Sequence, residues 1–348
     1  MDTQKKFTWL RDRAVWRVLI AILGLNLVAW GWFGVAATRL PILVSLGVIA
    51  YLFGLRHAVD ADHIAAIDNT TRKLMNDGKE TVSVGFYFSL GHSTIVILLT
   101  AFTAFAVRTV QAHLPTWQHL GSLVGTGVSA LFLYLIALLN LGVLRGILDL
   151  RRKLRKNPTG NWTEAELDAW LAKRGLLSRF YQKLFRLVSA SWQMYFIGFL
   201  FGLGFDTASE MALFAIAASA SSQHMPIFQI MVLPILFTAG MSLIDTADGV
   251  FMRSAYSWAF ANQMRKVSYN LVITTMSILI AFVIGTIEWM QVVGMQLGVR
   301  GGFWIWIGNL DFGTIGLAVI VVLILSWLTA GWIHHVHISL GASGKELD

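Results

Sequence analysis

The sequence predicts an all-α, polytopic transmembrane helical bundle of about eight spans, and three observations predict it. Of the 348 residues, 56% are hydrophobic and only 13% charged, against about 25% charged in a soluble domain. The apolar residues fall in runs of roughly 20 instead of alternating at strand or helix period. Many of the fourteen Trp residues, among them Trp16, Trp117, Trp192, Trp289 and Trp304, stand near the ends of those runs, where amphipathic rings anchor at the interface. Lipid offers no partner to backbone N–H and C=O groups, so such runs must be helices.

In chain order the spans are expected at about 18–37, 41–64, 83–107, 121–145, 191–219, 227–251, 268–290 and 312–334. The first is longer than a signal-peptide core and is followed almost at once by the second, so it reads as a retained helix. The second, fifth and sixth carry acidic residues that lower their hydropathy. Lys5, Lys6, Arg11, Arg13 and Arg17 precede the first span, and a dense basic stretch runs from Arg145 to Arg186. Smaller basic groups, Arg72, Lys73 and Lys79, then Arg253, Arg265 and Lys266, fall on that same side. Only Arg39, Arg108 and Arg300 fall between spans on the other side. This imbalance places both termini in the cytoplasm, and the membrane is expected to be the cytoplasmic (inner) one. The expected organisation is a single transmembrane domain over 1–348, with a cytoplasmic loop at about 146–190.

Several function classes drop out early. With no cysteine there is neither a disulfide nor a thiolate metal site. No Walker-type glycine loop occurs, so the chain has no ATP engine of its own. The net charge of +8 lies in residues flanking apolar runs rather than on a basic face. A nucleic-acid partner is therefore not expected. The lipid bilayer is.

What the spans carry besides apolar residues is more informative. A charged side chain at the bilayer centre costs roughly 2.5–3.5 kcal/mol even on the lenient scale, so its presence calls for a function. The second span contains Arg56-His57-Ala58-Val59-Asp60-Ala61-Asp62-His63. On a continuous helix turning about 100° per residue, His57, Asp60 and His63 share one face, while Asp62 points elsewhere. Asp62 would reach the same place only through local unwinding, or would orient a ligand from behind. Two imidazoles and a carboxylate form a half-site for a divalent transition metal; imidazole suits Ni, Co, Cu and Zn better than Mg or Ca. Arg56 and Asp60, four residues apart, are also placed to pair with each other. His92 stands in an otherwise apolar third span. Asp206 and Glu210 form a second polar patch one turn apart, and Asp245 with Asp248 forms a third. His334, His335 and His337 close the last span.

A weak internal repeat connects these patches. Phe53-Gly54-Leu55 precedes the first and Phe201-Gly202-Leu203 the second; Ser89-Leu90-Gly91-His92-Ser93 then aligns with Ser242-Leu243-Ile244-Asp245-Thr246. With the expected topology the two halves, spans 2–3 and 5–6, run in opposite directions. Inverted repeats with polar, interrupted helices are a common way to build a site at the membrane midplane.

The chain resembles the nickel/cobalt transporter family. The resemblance rests on Arg56-His57-Ala58-Val59-Asp60-Ala61-Asp62-His63-Ile64, which fits that family's H-x4-D-H signature, and on three further stretches in order. These are Leu90-Gly91-His92-Ser93, Leu203-Gly204-Phe205-Asp206-Thr207-Ala208-Ser209-Glu210, and Gly240-Met241-Ser242-Leu243-Ile244-Asp245-Thr246-Ala247-Asp248-Gly249. Ser209 departs from the family's Thr but keeps the hydroxyl. The resemblance implies a single-component, ATP-independent permease for high-affinity uptake of Ni2+ or Co2+, with the ion as substrate and no resident cofactor. It implies that His57, Asp62 and His63 are essential, with Asp60 close by, and that Asn26 of the first span faces the span-two histidines and tunes ion preference. His92 completes the expected metal set, and Asn26, Asp206, Glu210, Asp245 and Asp248 form a secondary pathway. A proton-coupled exporter of the same ions is the alternative. An intramembrane metalloenzyme is a poorer fit, because neither H-E-x-x-H nor clustered histidine boxes occur.

Overall fold

The structure, a computed structural model, describes residues 13–105, 107–156, 188–204, 208–260, 263–299 and 301–325. The chain runs through α1 (Arg13–Arg39), α2 (Leu43–His57), α3 (Ala61–Asn76), α4 (Val84–Phe105) and α5 (Val107–Lys156). A short 3-10 turn (Ser191–Gln193) then leads into α6 (Met194–Gly202) and α7 (Ala208–Ser222). A single helical turn at Ile227–Ile230 precedes α8 (Val232–Phe260) and α9 (Gln263–Leu297); α10 (Gly302–Gly308) and α11 (Phe312–Leu325) follow. No strand occurs among the described residues.

The all-helical, multi-span class is as expected, while the span count is more complex. Among the described residues five helices are long and apolar enough to cross a membrane, and up to seven spans result if each of two bent pairs counts as one. The bent pairs are α2 with α3, at 53°, and α10 with α11, at 73°. The expected fifth span is divided into α6 and α7, so eight is not reached by length and hydropathy. Asp206, the three histidines near the C-terminus, and residues 157–187 of the expected cytoplasmic loop lie outside the described residues.

The bend between α2 and α3 overturns the continuous helix expected at 41–64. Asp60 has extended backbone (φ −63°, ψ 143°) and stands as N-cap of α3, with Asp62 in the first turn. Aspartate is a favoured N-cap and a first-turn acid complements the helix dipole, so the sequence restarts a helix here. The Asp60 side chain makes no capping hydrogen bond; it is held by Arg56 and His57 instead.

Helices in lipid gain little hydrophobic drive from meeting each other and associate through close packing and interhelical hydrogen bonds. The two halves exchange partners accordingly. α2 packs along α8, α6 packs along α4, and α4 and α8 meet between them. A Cβ on Gly54 would strike the Phe237 carbonyl of α8, and one on Gly198 the Phe88 carbonyl of α4, so only glycine permits either approach. At the centre Ser89 Oγ donates to Ser242 Oγ at 2.9 Å, joining two positions that the internal repeat aligns. Outside this core α5 pairs with α9 through Leu133, Ala281 and Ile284. Leu23, Leu27, Leu98, Leu131 and Phe282 are exposed on the lipid-facing surface.

Candidate metal centre

The helix break turns one sequence motif into three separately aimed ligands. His57 ends α2, Asp60 occupies the break, and His63 lies in the first turns of α3. α4 is continuous here and brings His92 against them from a neighbouring helix. The three imidazole centroids form a near-equilateral triangle: His57–His63 4.7 Å, His57–His92 4.7 Å and His63–His92 4.9 Å. One ligand nitrogen from each ring falls within 4.8 Å of the other two. The three residues are at most 3% exposed; Phe237 lies tilted against His57, and Phe88 meets His63 edge to face.

Carboxylates surround the triangle. Glu210, in the first turn of α7, places Oε1 2.8 Å from His92 Nε2 and 3.8 Å from His57 Nε2. Asp60 Oδ2 lies 3.1 Å from His57 Nδ1, and Asp245 Oδ1 of α8 lies 3.4 Å from His63 Nδ1. The second half of the chain thus answers the first: Glu210 faces His92, and Asp245 faces His63. His63 Nε2 and Asp245 Oδ2 are buried without a protein hydrogen-bond partner, a costly state for polar groups in a low-dielectric interior. His57 Nε2 and His92 Nε2 lie 2.9 Å apart. Two nitrogens bound at right angles about 2.1 Å from one metal ion would be separated by about 3 Å. Imidazoles backed by carboxylates, with no thiolate, suit a borderline divalent transition ion.

Two rings of the centre, His57 and His92, line a cavity of about 610 Å³, and His63 and Asp245 are not among its lining residues. Asp62 lines that cavity with His57, Asp60, His92 and Glu210. On a straight helix it would have pointed away; the break redirects it. Arg56 bridges two acids at the rim, Asp60 at 2.5 Å and Asp311 of the α10–α11 junction. Asp311 Oδ2 meanwhile accepts from the Thr314 N–H at 2.8 Å and its hydroxyl at 2.6 Å, capping α11.

Two expected residues sit apart from the triangle. Asp248, half-buried on α8, does not line the cavity; Asp68 and Asp245 are its charged neighbours. Asn26 donates to the Ile22 and Ala239 carbonyls and accepts from the Tyr51 hydroxyl at 3.1 Å. It therefore ties α1 to α2 and α8, and the hydrogen bonds it makes go to these groups instead of to an imidazole. Two acidic cavity residues escaped sequence reasoning, Glu288 of α9 and Asp311. Glu288 lies within the expected seventh span, so the rule that flags acids inside spans would have found it.

Comparison with known proteins identifies the family. The family model described as high-affinity nickel-transport protein matches residues 43–333. A nickel transporter of Staphylococcus aureus, NixA, is 46% identical over 92% of this chain and 95% of its own length. The nickel transporter NicT of Mycobacterium tuberculosis is 44% identical over 96% and 94%. The cobalt transport protein NhlF of Rhodococcus rhodochrous is 39% identical over 84% of each chain. No solved structure matches. The family model and these relatives place the chain, a multi-pass membrane protein, in the high-affinity nickel-transport protein family.

Proposed function

We propose that the chain takes up Ni2+, Co2+ or both across the cytoplasmic membrane, as a single-component, ATP-independent permease. The observation that carries this reading is the buried triangle of His57, His63 and His92 at a helix break, with two of its rings, His57 and His92, lining an acidic cavity. Fixing the termini in the cytoplasm by the basic-residue bias orients that cavity. α9 then runs outward to Leu297, and the walls contributed by Gln291, Trp304 and Asp311 belong to the outer half. The site is thus open towards the side from which a scarce metal would arrive.

In this reading the ion exchanges water for the three imidazoles, with Glu210, Asp60 and Asp62 balancing its charge. The carbonyl end of α2 adds a favourable dipole. Asp245 orients His63, and Asp248 with Asp206 serves the onward half of the path. The unit is one transporter domain over 1–348, with the segment at about 146–190 cytoplasmic. The metal is cargo, so neither catalysis nor a resident cofactor is part of the proposal. Export is disfavoured, because its relatives carry names for high-affinity nickel transport.

The test is uptake of 63Ni and 57Co by cells lacking their own nickel systems and expressing this chain. Wild type accumulates metal; the double variant His57→Ala, His63→Ala does not. Accumulation that persists in the double variant at equal membrane abundance would refute the assignment.

A further inference from the structure

The α5–α9 pair carries none of the sequence motifs, yet it supplies a buried acid to the cavity. Glu288 of α9 is 2% exposed, and Ser129 Oγ of α5 donates to its Oε1 at 2.8 Å. Thr126 lies one turn before Ser129, and Gln291 one turn after Glu288; all four line the same cavity as His57 and His92. The α5–α9 contact is already made by Leu133, Ala281 and Ile284, so packing alone does not call for a carboxylate. An acid retained inside a span points to a permeating charge.

Size indicates which form of the ion this acid meets. A divalent ion with six waters occupies on the order of 180–200 Å³, taking about 30 Å³ per water. The cavity, at about 610 Å³, has about three times that volume. Hydroxyl, amide and carboxylate oxygens are hard groups that accept hydrogen bonds from metal-bound water, whereas imidazole nitrogens are donors for the bare ion.

We propose that Glu288, steadied by Ser129, is a staging site that holds the still-hydrated divalent cation through its water shell, before the imidazoles strip it. The proposal rests on the uptake reading above and adds to it a binding step that does not distinguish nickel from cobalt. Glu288 is assigned no role in ion selection, which belongs to the histidines.

Hexaamminecobalt(III) tests this, because its ligands do not exchange and only outer-sphere contacts can hold it. It is added to cells or proteoliposomes carrying the full chain during 63Ni and 57Co uptake. In wild type it inhibits competitively. In E288Q the KM for both metals rises by the same factor, roughly tenfold, with little loss of Vmax, and the inhibition constant rises by a similar factor. E288D, which keeps the charge, shifts both less. An unchanged KM and inhibition constant in E288Q, or a fall in Vmax alone, overturns the proposal. If E288Q does not accumulate in the membrane, S129A replaces it, and an unshifted inhibition constant there overturns the proposal equally. A wild-type chain that moves neither metal ends the uptake reading; a transporting wild type with unaltered E288Q ends only the staging site.

Discussion

His57 Nε2 faces His92 Nε2 at 2.9 Å across the α2–α4 interface, and Glu210 Oε1 stands 2.8 Å from the same His92 nitrogen. Three groups from three helices thus converge on one point. Ligands that bind one ion act as a unit, so their removal should not be additive. His57→Ala and His92→Ala are each expected to lower the initial rate of 63Ni uptake by about a hundredfold or more. The double variant should be no worse than the weaker single one. Rates normalised to membrane abundance check this; multiplicative losses would show that the two rings do separate jobs.

The helix approaches that assemble this point depend on missing side chains. Gly54→Ala pushes a methyl group into the Phe237 carbonyl, and Gly198→Ala does so at Phe88. Backbone cannot rotate away, so each substitution should cost about 1–3 kcal/mol or more of overpacking. Gly31→Ala is the control, because a Cβ there meets nothing within 4 Å. Thermal melts of the detergent-purified protein should rank both buried variants well below Gly31→Ala. Equal melting of all three would remove the close-approach argument.

The fold class was legible in the sequence because hydropathy in lipid has one structural outcome, the helix. Element boundaries were less so. The break after His57 carries neither Gly nor Pro, and the Ala58-Val59 step reads as ordinary helix; its signal is Asp60 as N-cap with Asp62 behind it. A straight helix points Asp62 away, and the break supplies the local unwinding that brings it to the cavity. Glu288 has no motif around it, so only its position within a span marked it. The partners of Asn26, Tyr51 and the Ala239 carbonyl, depend on how α1 docks on α2 and α8. Local periodicity does not encode such a register.

At the cavity rim Asp311 does two things, and magnitudes separate them. It pairs with Arg56, but the two side chains are 40% and 55% exposed, so screening leaves that pair below about 1 kcal/mol. It also caps α11 through Thr314, a role worth about 1 kcal/mol or more. Asp311→Asn keeps a capping oxygen and loses only the charge, whereas Asp311→Ala loses both. Asp311→Ala should therefore melt clearly lower than Asp311→Asn in the purified protein. Equal melting of the two, both well below wild type, would make the ion pair the dominant tie.

The driving force follows from the charge of the cargo. An inside-negative potential is worth about 2.3 kcal/mol per charge per 100 mV, hence about 4.6 kcal/mol for a dication. That corresponds to a gradient on the order of a thousandfold without any ATP. In proteoliposomes, a potassium diffusion potential of that size, negative inside, should drive 63Ni above the external concentration, and collapsing it with valinomycin in equal potassium should return the metal to equality. A proton gradient imposed at zero potential should then give little accumulation. If instead the proton gradient alone concentrates nickel and the potential alone does not, movement is by electroneutral proton exchange, and the carboxylates of α7 and α8, Glu210 and Asp245, become the groups to titrate.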